Sequence, residues 1–322
     1  MGRQIDDGRD RAVADVPLTR KTLDHLFDGR KAHTCSFEKS RGSTLACEYR
    51  RHNSSILRAM CTLAVYVRRF AEYPLVVAAN RDEFLARPAT SPLLLSPSPR
   101  IVGGRDLLAG GTWLGISEHG VAAGLLNRRT GDAPVADKRS RGLLMLETLA
   151  APSAADAAQV LAATDPATYN AFTLLVADAR TAVVAQNRPD GMQLTELTAG
   201  VHVLSNLDFD DPTCPKRARS HERFARVATA FEADGDLDAF RAALRTILSD
   251  HTVALDPRLP DALGSLCVHT EQFGTRCSSL VFLDARGTWT HWFADGPPCR
   301  VPYSPALTPT NAPTARASAT RP

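Results

Sequence analysis

Two short stretches of this 322-residue sequence carry side chains able to do covalent chemistry together: Cys61, at the head of the apolar run Cys61–Val67, and the run Asn80-Arg81-Asp82-Glu83. A thiol is a nucleophile as its thiolate, and a cation beside it favours that form. If the chain turns around Ala71-Glu72, antiparallel partners sum to about 142 and Arg81 lies directly across from Cys61. Each unit by which a guanidinium lowers the thiol pKa corresponds to about 1.4 kcal/mol. Removal of Met60 would also leave Cys61 with a free α-amine of pKa about 8. One residue would then supply both nucleophile and base. Each stretch has an ordinary reading too. A cysteine in an apolar strand is usually a small buried hydrophobe, and a polar run at a strand end is often a solvated turn.

The elements that must hold these residues follow from periodicity. Cys61–Arg68 and Pro74–Ala79 form the first hairpin; Trp113–Ser117 and Val121–Asn127 form another across Glu118-His119-Gly120. Ser140–Ala150 and Ser153–Ala163 are expected as helices broken by Pro152. Strands follow at Phe172–Asp178, Ala182–Gln186, Met192–Leu197 and Val201–Leu204. Helices return at Pro215–Glu232 and Leu237–Asp250, the first with Phe224, Val227 and Phe231 on one face and Lys216, Arg219, Arg223 and Arg226 elsewhere. Strands Ser278–Asp284 and Thr288–Phe293 close the set, leaving Leu85–Arg100 and Asp250–Leu266 as loops that line the pocket. Runs of antiparallel strands separated by helix pairs indicate an α+β layered protein and not a parallel βαβ sheet. Gly103-Gly104 and Gly110-Gly111 make no dinucleotide or phosphate loop, because the second pair runs straight into a strand.

Three segments are expected: a polar extension over 1–59, a domain over 60–302, and a disordered Pro/Thr-rich tail over 303–322. The extension, with a short helical turn at Leu23–Phe27, is read as disordered, and either as a gene-model artefact upstream of a true start at Met60 or as a segment that is cut away. It holds 12 basic and 8 acidic residues, which accounts for the net charge of +3 and leaves the rest near neutral. So weak a charge, with no basic tract interleaved with aromatics, argues against nucleic acid as a partner. Seven scattered cysteines without a C-x-x-C pair suit a reducing compartment and give no basis for a zinc ribbon. The absence of an 18-residue apolar run excludes a transmembrane helix, and the expected location is cytoplasmic. No metal or cofactor is expected. H-E-x-x-H is absent, and His119, His202, His269 and His291 form no spacing motif.

Five blocks in order carry a resemblance: Met60-Cys61-Thr62; Asn80-Arg81-Asp82-Glu83-Phe84; Gly110-Gly111-Thr112-Trp113-Leu114-Gly115; Leu204-Ser205-Asn206 with Pro215-Lys216; and Phe273-Gly274-Thr275-Arg276-Cys277-Ser278-Ser279. Together they resemble the NRDE family, also called the transport and Golgi organization protein 2 family, over residues 60–300. The resemblance implies the four-layer αββα sandwich of N-terminal-nucleophile hydrolases, whose cysteine branch includes penicillin V acylase and bile salt hydrolase. It implies Cys61 as nucleophile, Arg81 as the arginine beside it, and Asp82, or else Glu83, as the carboxylate that holds the α-amine. Asn127 and Asn206 resemble the asparagines facing the substrate carbonyl, and Arg276 the second active-site arginine. The ordinary alternatives are turn residues for the two asparagines and a structural ion pair for the arginine. This sequence has Cys214 where the family is expected to carry Trp before Pro215. A Cys-Pro pair can ligate haem, but Pro at the first helical position is the simpler reading.

The function expected is hydrolysis of a linear amide (a carbon–nitrogen bond other than a peptide bond) or thioester of a small molecule. The resemblance also leaves open a non-catalytic haem or lipid (acyl-CoA) carrier on the same fold, since the family is linked to haem trafficking and lipid metabolism. Fold alone does not decide between them.

Overall fold

The computed structural model describes residues 61–312, apart from 132, 210 and 258–260. The expectations for 1–59, including the turn at Leu23–Phe27, and for 313–322 lie outside the described residues. Thirteen strands make two antiparallel sheets among the described residues. A six-stranded sheet runs β10 (Gly200–Leu204), β1 (Thr62–Val67), β2 (Leu75–Phe84), β11 (Phe273–Leu283), β12 (Trp289–Ala294) and β13 (Ser304–Pro305). A seven-stranded sheet runs in sequence order from β3 (Ala89–Pro97) and β4 (Arg100–Asp106) through β5 (Thr112–Ser117), β6 (Ala122–Asn127), β7 (Phe172–Ala177), β8 (Ala182–Arg188) and β9 (Gly191–Glu196). Helices α1 (Arg141–Leu149) and α2 (Ala154–Ala162) cover the seven-stranded sheet. Helices α3 (Pro215–Asp234) and α4 (Leu237–Leu248) cover the six-stranded one. The layer order is the expected αββα sandwich.

Alternation along the central strands builds this stack. On β1, Leu63, Val65 and Val67 point between the sheets, where they pack with Leu114, Ile116, Leu126, Leu175 and Val184. Ala64 and Tyr66 point the other way, onto Phe224, Phe231, Phe240 and Leu244 of α3 and α4. Because both faces are buried, β1 reads as a continuous apolar run instead of an alternating one. On the opposite side, Phe172, Leu174 and Val176 of β7 meet Leu144, Met145, Leu149 and Leu161 of α1 and α2.

Several boundaries differ from expectation. The loop expected over Leu85–Arg100 contains β3, an edge strand whose register shifts accommodate Pro92 and Pro97. The expected end of the domain at 302 falls too early. Ser304–Pro305 pairs with β12, and Leu307 and Ala312 pack into the inter-sheet core, so 303–312 belong to the sandwich. Strand β2 runs through Asn80-Arg81-Asp82-Glu83-Phe84, which rules out a solvated turn there. The Lys216 reading also changes. The buried row of α3 is Lys216, Ser220, Phe224, Ala228 and Phe231, so this lysine shares the inward face with the phenylalanines.

Candidate active site

The register of the first hairpin places the site. Strands β1 and β2 pair from Val67↔Leu75 to Thr62↔Asn80, so one further step sets Cys61 opposite Arg81, as the expected sum of 142 requires. Strand parity then sorts the side chains. Cys61 continues the inter-sheet face of Leu63 and Val65. Arg81 and Glu83 continue that of Val77 and Ala79, and Arg81 accordingly reaches Asp106 of the other sheet. Asp82 faces the helical layer with Val76 and Ala78.

Where the sheets part at this end there is a cavity of about 250 Å³. Cys61, Arg81, Asp82 and Glu83 form its floor, the turn and strand residues Asp106 to Trp113 one wall, and Lys138 to Gly142 with Asn127 and Asn170 the other. Gly111 and Gly142 touch backbone to backbone there. A Cβ on Gly111 would lie 2.1 Å from the Gly142 carbonyl carbon, so the Gly111-Thr112 start of β5 can meet the head of α1 in no other way.

Electrostatics of the floor differ from the expected arginine-activated thiolate. Burial pushes the Cys61 thiol up to about 12, and the negative charge of Asp82 adds to the effect; Arg81 opposes both but is outweighed. The guanidinium is also engaged elsewhere, 3.3 Å from Asp106 and 3.7 Å from Glu83. Arg87 joins the same carboxylates, at 2.7 Å from Asp106. The sulfur donates to the Asp82 carbonyl at 3.6 Å, while the Asp82 amide points at the sulfur from 3.4 Å. That amide is in place to stabilise a thiolate once the proton leaves.

Asp82 is almost fully enclosed. Its Oδ1 accepts from the Thr275 hydroxyl at 2.6 Å, and its Oδ2 has no hydrogen-bond partner among the described residues. Burial raises it to about 7; the charge of Lys216 and the Thr275 hydrogen bond pull it down, and Glu83 pushes it up. Lys216 is 2 % exposed and shifted below the ordinary ammonium range by burial, against the attraction of Asp82. It stands in the first turn of α3, where the helix dipole disfavours a cation, so the carboxylate is its compensation.

A model of the family described as Transport and Golgi organisation 2 matches residues 60–292. The chain belongs to this family. It is 30% identical over 239 residues to the human Transport and Golgi organization protein 2 homolog, covering 67% of this chain and 84% of that one. The Drosophila melanogaster protein is 27% identical over 250 residues, covering 66% and 83%. Among solved structures, a mutant of the conjugated bile acid hydrolase from Clostridium perfringens matches with a TM-score of 0.49 and 11% identity, over 80% of this chain and 95% of that one.

Within this family member the expected residues divide. Cys61, Arg81, Asp82 and Asn127 line one cavity, and Glu83 lies beside them in the Arg81–Arg87–Asp106 network. Asn206 is wholly buried and donates to the Asn127 carbonyl at 2.5 Å, so it supports the wall without lining it; its Oδ1 has no partner among the described residues. Arg276 occupies the irregularity between Thr275 and Cys277 on β11 and does not line the cavity. Cys214 is the N-cap of α3 and Pro215 its first residue, with the thiol buried 3.8 Å from the Ser205 hydroxyl. Of the two loops expected to shape the pocket, 85–100 contributes Arg87, and 250–266 contributes no lining residue. The sequence reading missed Lys216 as a partner of Asp82; stepping back by fours from Phe224 would have placed it on the buried face. It also missed the basic wall of Lys138, Arg139 and Arg141; the first two lie in a turn-like stretch without a period, and the third opens α1. No helix among the described residues is long and apolar enough to cross a membrane.

Proposed function

We propose that this family member is a cysteine hydrolase of a small anionic amide or thioester, with Cys61 as nucleophile after the chain preceding it has been removed. The observation that carries the reading is the floor of the cavity, which Cys61 and Asp82 both line: the sulfur touches the Asp82 backbone, and the enclosed carboxylate keeps one oxygen without a partner among the described residues. The freed α-amine of Cys61 is the base, and the open Oδ2 of Asp82 is the acceptor that orients it. The amine takes the thiol proton as sulfur bonds to the carbonyl carbon, then delivers it to the departing nitrogen or sulfur. Water releases the acyl group from Cys61 in a second step. The Asn127 side chain is the donor to the developing oxyanion, a role worth about 3–4 kcal/mol when pre-aimed. Anion preference rests on the lining, which holds Arg81, Arg87, Lys138, Arg139 and Arg141 against Asp82, Glu83 and Asp106; with Arg139 paired to Glu147, a small cationic excess remains.

Under the alternative of a haem or lipid carrier, Cys61 would be the axial ligand this cavity offers to haem, since none of His119, His202, His269 and His291 lines it. The test compares the full chain with one beginning at Met60, from which the initiator is processed, on a panel of N-acyl amino acids and acyl thioesters. Turnover is expected from the shortened chain alone. Equal rates, or none from either, would end the hydrolase reading.

A further inference from the structure

A second cluster of reactive side chains lies outside the cavity and takes no part in the proposed reaction. His251 follows α4, Cys267 and His269 precede β11, and Cys299 lies in the loop between β12 and β13. One ligand-type atom from each lies within 4.8 Å of the other three. Cys267 Sγ is 3.6 Å from Cys299 Sγ and 3.6 Å from His269 Nε2, and His269 Nε2 is 3.2 Å from Cys299 Sγ. Zinc bond lengths in a regular tetrahedron give edges of about 3.8 Å between two sulfurs and about 3.6 Å between sulfur and nitrogen. The three separations fall within a few tenths of an ångström of those edges.

The fourth corner is prepared as well. Nδ1 of His251 is 3.0 Å from the Cys267 carbonyl, which can only accept, so Nδ1 carries the hydrogen and the Nε2 lone pair is left for a ligand. A ring N–H given to a backbone carbonyl is the usual second contact of a metal-bound histidine. Both histidines are exposed while Cys267 is buried, so an ion has an entry path and two sulfurs to stop it.

We propose that His251, Cys267, His269 and Cys299 form a tetrahedral structural zinc site. Two neutral imidazoles and two thiolates balance the dication, and the two thiol protons leave to solvent as the Zn–S bonds form. Four protein ligands leave no open position for substrate, which makes the site structural. Its place in the fold says what it braces. Val268, between two ligands, donates its N–H to the Thr275 hydroxyl at 2.9 Å, and that hydroxyl donates to Asp82. The Thr275 amide returns to the Val268 carbonyl at 2.9 Å. The ion thus clamps the segment that seats Thr275 under the Asp82 carboxylate. The inference does not depend on turnover at Cys61. Cys299 also lies beyond the stretch matched by the family model.

The test is elemental analysis of the full chain purified under reducing conditions without added metal, followed by cobalt exchange. About one zinc per chain is expected, and the cobalt form should show thiolate charge-transfer and tetrahedral ligand-field bands. Cys299→Ser should lose the charge-transfer intensity of one thiolate and hold zinc at least tenfold more weakly. Chelation of the wild-type chain should speed amide exchange at Val268 and Thr275. Wild-type protein without stoichiometric metal would overturn the proposal, as would full zinc retention in both Cys299→Ser and His251→Ala. So would a Cys267–Cys299 disulfide in metal-free protein isolated from the cell, since it would make the pair a redox couple.

Discussion

The cavity floor and the His251–Cys267–His269–Cys299 cluster both centre on cysteine, yet their neighbours set them to different chemistry. Cys61 meets a guanidinium already paired with two carboxylates and lies under a buried Asp82, so its proton is held and a base must remove it. The sulfurs of Cys267 and Cys299 lie close to each other and to two imidazoles, a set whose ligand atoms all fall within 4.8 Å of one another. The proposed hydrolysis needs a single sulfur and a proton acceptor; the proposed zinc site needs four donors and a cation. Thr275 is the hinge between them, donating to Asp82 and accepting from Val268.

The sharpest way to separate the two is Cys61→Ala. Hydrolysis is expected to fall by about 10³-fold or more, while zinc content and the urea midpoint stay at wild-type values. A loss of zinc in this variant would break the division.

Lys216→Met probes the charge under the floor. It leaves the Asp82 carboxylate buried without its cation and is expected to cost about 3–5 kcal/mol of unfolding free energy. Adding Asp82→Asn should return more than half of that loss in urea denaturation. If the double variant is as unstable as the single one, the pair is not the reason for burying Lys216.

A pH series tests the floor against a buried group elsewhere. Asp82, facing Lys216, Thr275 and Glu83, is raised from 3.8 to about 7, so the folded state holds its proton longer and stability falls as pH rises through that window. His291, buried with its Nε2 3.3 Å from the Ser279 hydroxyl, is lowered from 6.5 to about 4, so stability falls as pH drops through nearly the same window. The two slopes oppose. Asp82→Asn should therefore steepen the acid loss and His291→Gln should flatten it, each by roughly 2–3 kcal/mol between pH 4.5 and 7. Matching profiles for both variants would refute the assignment.

The smallest effect is expected at the cavity wall. Gly111→Ala forces β5 away from the head of α1 and should cost about 1–3 kcal/mol, with kcat/KM falling further than stability alone explains. Zinc content should not change.

The first hairpin shows what was legible. Its register, and with it the facing of Cys61 and Arg81, follows from turn position and a period of two, both local in the chain. Most helices and strands and the layered class were legible for the same reason. Strand β3 was not, because its prolines are breakers everywhere except at an edge with shifted register. The ordered stretch 303–312 was hidden by a composition that resembles a tail.

By itself the sequence determined the αββα plan, the family, and the pairing of a cysteine with an arginine and an aspartate. Tertiary structure alone decided that burial raises the Cys61 thiol, that Lys216 answers Asp82, and that His251, Cys267, His269 and Cys299, from two separate connections, bring ligand atoms within 4.8 Å of one another. The first set depends on repeats of two and about 3.6 residues, which neighbours along the chain carry. The second depends on desolvation and on distances between segments remote in sequence, which exist only after the layers have closed.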